Sequence, residues 1–142
     1  MKKSLSVSAL VLIMVSLFSI SANCQSTKKA KPAVAKISKV EVYYFHYTRR
    51  CITCNAVETE TQKTITAIYP EQAKKGQITF KSVNLDEKSS EALAKKCNAE
   101  GQALLVMSGG KRVDLTDKGF MYARSNPDKL KAELKKTIDS LL

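Results

Sequence analysis

The sequence predicts an α/β sandwich in the order strand, helix, strand, helix, strand, strand, helix, and three observations carry that prediction. Runs rich in β-branched and aromatic residues recur at Val40 to Tyr47, Ile78 to Leu85 and Leu104 to Met107. Stretches with helical spacing lie between them, and Gly109 with Gly110 joins the third run to Val113 to Leu115. A length of 142 residues with 44% hydrophobic and 26% charged side chains suits one soluble domain. At that size about two thirds of the unfolded chain's surface is buried on folding, so no disulfide staple is needed. The four cysteines therefore call for a chemical explanation.

Each element follows from local chemistry. Val40 to Tyr47 shows little polar alternation, as expected of a central strand covered on both faces. After the turn at Thr48, Arg49 and Arg50, a helix from Cys51 to Ile68 presents Ile52, Ala56, Ile65 and Ile68 as its apolar side and ends near Pro70. Ile78 to Leu85 alternates as a second strand, and Asp86 and Ser89 are placed to cap a short helix from about Ser90 to Asn98 that stops at Gly101. Its Leu93 and Cys97 stand four apart on one side. Gly109 and Gly110 give hairpin chemistry, so the last two strands are expected to be antiparallel. The two crossovers before them are expected to give parallel pairing. Thr116 to Ser125 reads as a loop. Asn126 as cap, Pro127 at the first helical position and the stripe Leu130, Leu134, Ile138, Leu141 predict a final amphipathic helix.

The amino-terminal segment reads as a leader. Lys2 and Lys3 precede an apolar run from Leu5 to Ile20, too short for a membrane span of about 20 residues and interrupted by serines. Ala22 and Cys24 stand three and one before Gln25, so cleavage after Cys24 is expected: residues 1–24 are a signal peptide, and the protein is exported to the periplasm. Cys24 also admits a lipoprotein reading with an acyl anchor, although Ser21 and Asn23 are unusual neighbours for one. Residues 25–39 form a lysine-rich linker without an acid, and the domain proper spans 40–142. Seven of the 24 Lys and Arg precede Val40 and no acid does, which leaves 17 basic against 13 acidic residues, about +4, for the domain. With export, that balance argues against nucleic acid as a partner, and after cleavage no transmembrane span is expected.

The chemistry concentrates in Cys51, Ile52, Thr53 and Cys54. Two cysteines three apart at a helix start lie on one face at a separation suited to a disulfide. The helix dipole and unpaired amides favour an anion there, so the Cys51 thiolate should form below the roughly 8.5 of a free cysteine, with Arg49 and Arg50 adding positive charge. Cys51 is then the nucleophile and Cys54 the resolving thiol. A static disulfide, half of a zinc site, or chance spacing are the competing readings. No Gly-rich phosphate loop, second C-x-x-C or paired histidine stands out.

From Val40 to Leu142 the element order, with C-x-x-C where the first helix starts, resembles the thioredoxin-like superfamily. The resemblance implies a three-layer sandwich of order βαβαββα, with a four-stranded mixed sheet flanked by three helices, and the nucleophile and resolving roles for Cys51 and Cys54. Members usually carry a cis-proline before the third strand, facing the cysteines. Here Gln102 and Ala103 stand before Leu104, and the prolines are Pro32, Pro70 and Pro127. A cis bond without proline costs about 2.5–4 kcal/mol, so a trans link is expected, with Ala103 at the substrate-facing position. Tyr43 to Cys54 is similar to exported bacterial proteins known as the F subunit of a nitrophenyl-compound nitroreductase, associated with arsenic resistance. No flavin site is legible, so that likeness implies an electron relay to a protein redox partner, with the disulfide itself as the only redox group.

Two residues remain. Cys97 reads as a core cysteine, with a sharper alternative in which it joins Cys51 and Cys54 as a third soft ligand for zinc, copper(I) or arsenite. His46, the only histidine, ends the central strand close to the cysteines, in an ordinary hydrogen bond, or tuning the thiolate or ligating a metal. The function expected is thiol–disulfide exchange or electron relay, the alternative a thiol-based metal or metalloid binder.

Overall fold

A computed structural model describes residues 38–142. The leader, the alternative anchor at Cys24 and nearly all of the linker lie outside the described residues. The elements are β1 Val40–His46, α1 Ile52–Ile68, α2 Pro70–Lys74, β2 Ile78–Asn84, a 3₁₀ turn Lys88–Ser90, α3 Glu91–Cys97, β3 Ala103–Ser108, β4 Lys111–Asp114, α4 Thr116–Tyr122 and α5 Pro127–Asp139. The four strands form one mixed sheet in the order β2-β1-β3-β4. This is an α/β fold compatible with a thioredoxin-like sandwich, with five helices among the described residues where three were expected.

β1 is interior, as its apolar run requires. It pairs in parallel with β2 from Val40↔Ile78 to His46↔Asn84 and antiparallel with β3 from Val40↔Ser108 to Phe45↔Ala103. Only the first crossover therefore returns a parallel strand; the second, through α3, brings β3 back reversed on the far side of β1. Hydrophobic pattern sets which residues are buried but carries no strand direction, which is why the sequence reading missed this. β3 and β4 are antiparallel about Gly109 (φ 54°) and Gly110 (φ 89°), the pair of positive φ angles that a tight hairpin needs.

Alternation along β1 divides the core in two. Val40, Val42 and Tyr44 face one layer with Val57 and Ile65 of α1, Leu130, Leu134 and Ile138 of α5, and Leu104 and Val106 of β3. Tyr43 and Phe45 face the other with Leu105, Val83, Ala94 and Cys97. Each fully buried aliphatic side chain among them contributes about 1.5–3 kcal/mol. The expected stripe of α5 is buried throughout, and Asn126 Oδ1 accepts from the Lys129 N–H at 3.1 Å, the cap read from the sequence.

Several local expectations are corrected. Ile52 is 73% exposed and does not belong to the apolar side of α1, which buries Cys54, Val57, Thr61, Thr64 and Ile65. Neither Asp86 nor Ser89 caps α3, whose end is set by Asn98 in the left-handed region (φ 52°) rather than by Gly101. The segment read as a loop contains α4. Its Gly119 sits where a Cβ would lie 3.2 Å from both Leu104 Cδ2 and Val57 Cγ1, so the residue that looks like a helix breaker is what lets α4 approach α1 and β3. Among the described residues no helix is long and apolar enough to cross a membrane.

Candidate functional site

The carboxyl end of β1 leads through Tyr47 to Arg50 into α1, and this loop is tied to the end of β2. The Thr48 N–H donates to Asp86 Oδ2 at 2.8 Å, Asn84 Nδ2 donates to Thr48 Oγ1 at 2.9 Å, and the Leu85 N–H donates to the His46 carbonyl at 2.7 Å. Asp86 is held below the usual carboxylate range by the Thr48 backbone donor first, with the Thr48 hydroxyl and His46 adding to it.

Cys51 is the N-cap of α1 and is disulfide-bonded to Cys54, with Cα atoms 5.1 Å apart. Its backbone is extended, and its sulfur accepts the Cys54 N–H at 3.1 Å, while its carbonyl accepts the first helical bond from Asn55 at 3.1 Å. A Cys51 thiolate at this place would keep that amide donor and gain from the helix dipole. Cys51 is exposed, whereas Cys54, one turn deeper, is only 3% exposed. The pair is thus an exposed cysteine backed by a buried one, an asymmetry that exchange chemistry can use.

The expected tuning residues are placed differently from one another. Arg50 is ion-paired through Nη1 with Glu58 Oε2, so much of its charge is offset two turns into α1. Arg49 is exposed, with no ion pair among the described residues. His46 is buried, and its Nδ1 lies 2.9 Å from the Tyr47 carbonyl. A carbonyl only accepts, so Nδ1 carries the proton in this contact. Beneath the Arg50–Glu58 pair, burial pushes the Tyr44 phenol up to about 12. Its hydroxyl, like that of Thr61, has no hydrogen-bond partner among the described residues.

On the third-strand side, Ala103 is buried opposite Phe45, and no cis peptide occurs among the described residues. Sequence reasoning missed Gln102 as a site residue: its Oε1 lies 3.9 Å from Cys54 Sγ. Its place directly before Ala103, at the edge facing the cysteines, was the available signal. Beside it an open cleft of about 450 Å³ is lined by Glu100, Gln102, Ala103, Arg112, Asp114 and Thr116. Arg112 is already engaged there, with Nε donating to the Cys97 carbonyl at 3.0 Å and Nη2 to Asp114 Oδ2 at 2.9 Å.

Cys97 is not brought to the pair. It is buried against Tyr43, Phe45 and Leu105 on the sheet face opposite to that on which α1 packs, and burial pushes its thiol up. Among the described residues no three of His, Cys, Asp and Glu gather as a metal site, so the three-thiol ligand set is not formed. Of the aromatic residues of this strand and the loop after it, Tyr43, Tyr44 and Phe45 are core, while Tyr47 is 40% exposed.

No family model matches the chain. No curated protein matches it either. One similar solved structure, described as "Structure of a malarial protein", shares 22% identity over 69% of this chain and 96% of that one, with a TM-score of 0.44.

Proposed function

We propose that this protein is an exported thiol–disulfide exchange or electron-relay protein whose working group is the Cys51–Cys54 disulfide. The observation that supports the reading is the asymmetry of the pair, an exposed cysteine at the N-cap of a 17-residue helix and a buried one a turn behind it. In the oxidising direction a thiolate of a partner protein attacks Cys51 Sγ. A partner–Cys51 disulfide forms, the Cys51–Cys54 bond breaks, and Cys54 leaves with the electron pair and takes up a proton. A second partner thiolate then displaces Cys51 as thiolate, so the partner is oxidised by two electrons and the pair reduced by two. The reverse sequence makes the protein a reductant.

The protein redox partner and the periplasmic location, free or tethered through Cys24, belong to the same proposal. The likeness of Tyr43 to Cys54 to nitroreductase F subunits fits a relay that passes electrons through the pair. Exchange with a disulfide-bonded test protein checks the reading. Cys51→Ser should abolish it and Cys54→Ser should accumulate a mixed disulfide through Cys51; unchanged exchange in both variants would sink it.

A further inference from the structure

Resting on that reading of the site, we infer that Gln102 is a positioning residue that holds the reduced Cys54 as a neutral, hydrogen-bonded thiol and thereby favours the reduced state of the pair. The contact is the 3.9 Å approach of Gln102 Oε1 to Cys54 Sγ. As a disulfide sulfur, Cys54 has no proton, and the contact is then only a close approach. Once two electrons and a proton arrive and the S–S bond opens, Cys54 carries an S–H in a site where it is 3% exposed. A buried S–H finds little water, and the Gln102 carbonyl is the side-chain acceptor the fold holds against it. Gln102 comes from the loop before β3 and Cys54 from the first turn of α1, so the contact exists only when both elements are docked.

The charged groups around this sulfur do not replace that acceptor. Glu58, one turn further along α1, is paired with Arg50, and Arg49 lies exposed before Cys51. His46 is engaged with the Tyr47 carbonyl through Nδ1, and among the described residues no hydrogen bond joins it to Cys54. Two consequences follow. The neutral thiol is stabilised over the thiolate, so Cys54 attacks a mixed disulfide more slowly and the covalent intermediate with a partner lives longer. The reduced pair is also stabilised relative to the disulfide, which makes the protein a stronger oxidant than the same pair without Gln102.

The test compares wild type, Gln102→Leu and Gln102→Glu. Each is equilibrated with reduced and oxidised glutathione, and each is melted in both redox states. A weak hydrogen bond present in one state predicts that Gln102→Leu shifts the equilibrium about three- to tenfold toward the disulfide. It also predicts a lower melting temperature relative to wild type for the reduced protein than for the oxidised one. Gln102→Glu, which keeps the acceptor oxygen, should restore the wild-type equilibrium or pass it. An unchanged equilibrium in Gln102→Leu, or equal melting shifts in both states, overturns the inference, because a merely structural role acts on both states alike. If wild type fails to exchange with glutathione at all, the exchange function falls instead, while the melting comparison on dithiothreitol-reduced protein still decides the role of Gln102.

Discussion

The Thr48 amide donates to Asp86 across 38 residues at 2.8 Å, fastening the loop that delivers Cys51 to the end of a neighbouring strand. The carboxylate gains this partner only in the folded state, which lowers its pKa from an ordinary 3.8. A depressed carboxylate stabilises the fold above its unfolded value, and the contribution is lost as pH falls through the lower, folded value. Asp86→Asn should therefore lower the urea midpoint at pH 7, and the gap to wild type should close as pH drops below 3.8. A gap that stays constant with pH would show that the charge plays no part.

Cys97 should be inert in the folded protein. Its burial on the opposite face and its raised thiol pKa predict negligible alkylation at pH 8 without denaturant and full alkylation in urea. Replacing it with Ala should leave the zinc affinity of the reduced protein unchanged, and a large loss of affinity would revive the three-thiol site.

Glu58 is ion-paired with Arg50, the residue directly before Cys51. The pair is partly exposed, with side chains at 29% and 24%, so as a structural bridge it contributes no more than about 1 kcal/mol. Its electrostatic effect on Cys51 is easier to read. Glu58→Gln should free the Arg50 charge to favour the Cys51 thiolate, seen as faster iodoacetamide reaction at pH 6. Slower reaction would mean that Glu58 does not oppose the thiolate.

Gly119 should resist enlargement. A Cβ there meets Leu104 and Val57 at 3.2 Å, and the two further methyl groups of Val have no space toward either neighbour. Gly119→Val is expected to cost about 1–3 kcal/mol by overpacking, measured by urea denaturation. Stability at the wild-type level would mean that α4 can lift away freely.

What the sequence made legible is what local chemistry writes in full. Asn126, Pro127 and the leucine stripe define α5 without tertiary help, and the two-faced apolarity of Val40 to Phe45 places β1 inside the sheet. The C-x-x-C pair announces itself by spacing and by the strand before it. The rest depends on distant partners. Gly119 reads as a breaker until Leu104 and Val57 are beside it, and Asp86 reads as a cap until Thr48 is opposite it. Ile52 looks like core by composition, yet it occupies the first turn next to an exposed cysteine. Arg50 looks like a free cation because its partner stands eight residues along, and Gln102 is one polar loop residue among many until Cys54 lies against it.

The most direct measurement is the redox titration of the pair itself. The protein is equilibrated across a graded dithiothreitol series, its thiols are alkylated at each point, and the modified sites are read by mass spectrometry. Cys51 and Cys54 should appear together as a two-electron couple above about −300 mV, while Cys97 stays protected throughout. A pair that stays bridged until far lower potentials would contradict the account and make the disulfide a structural staple.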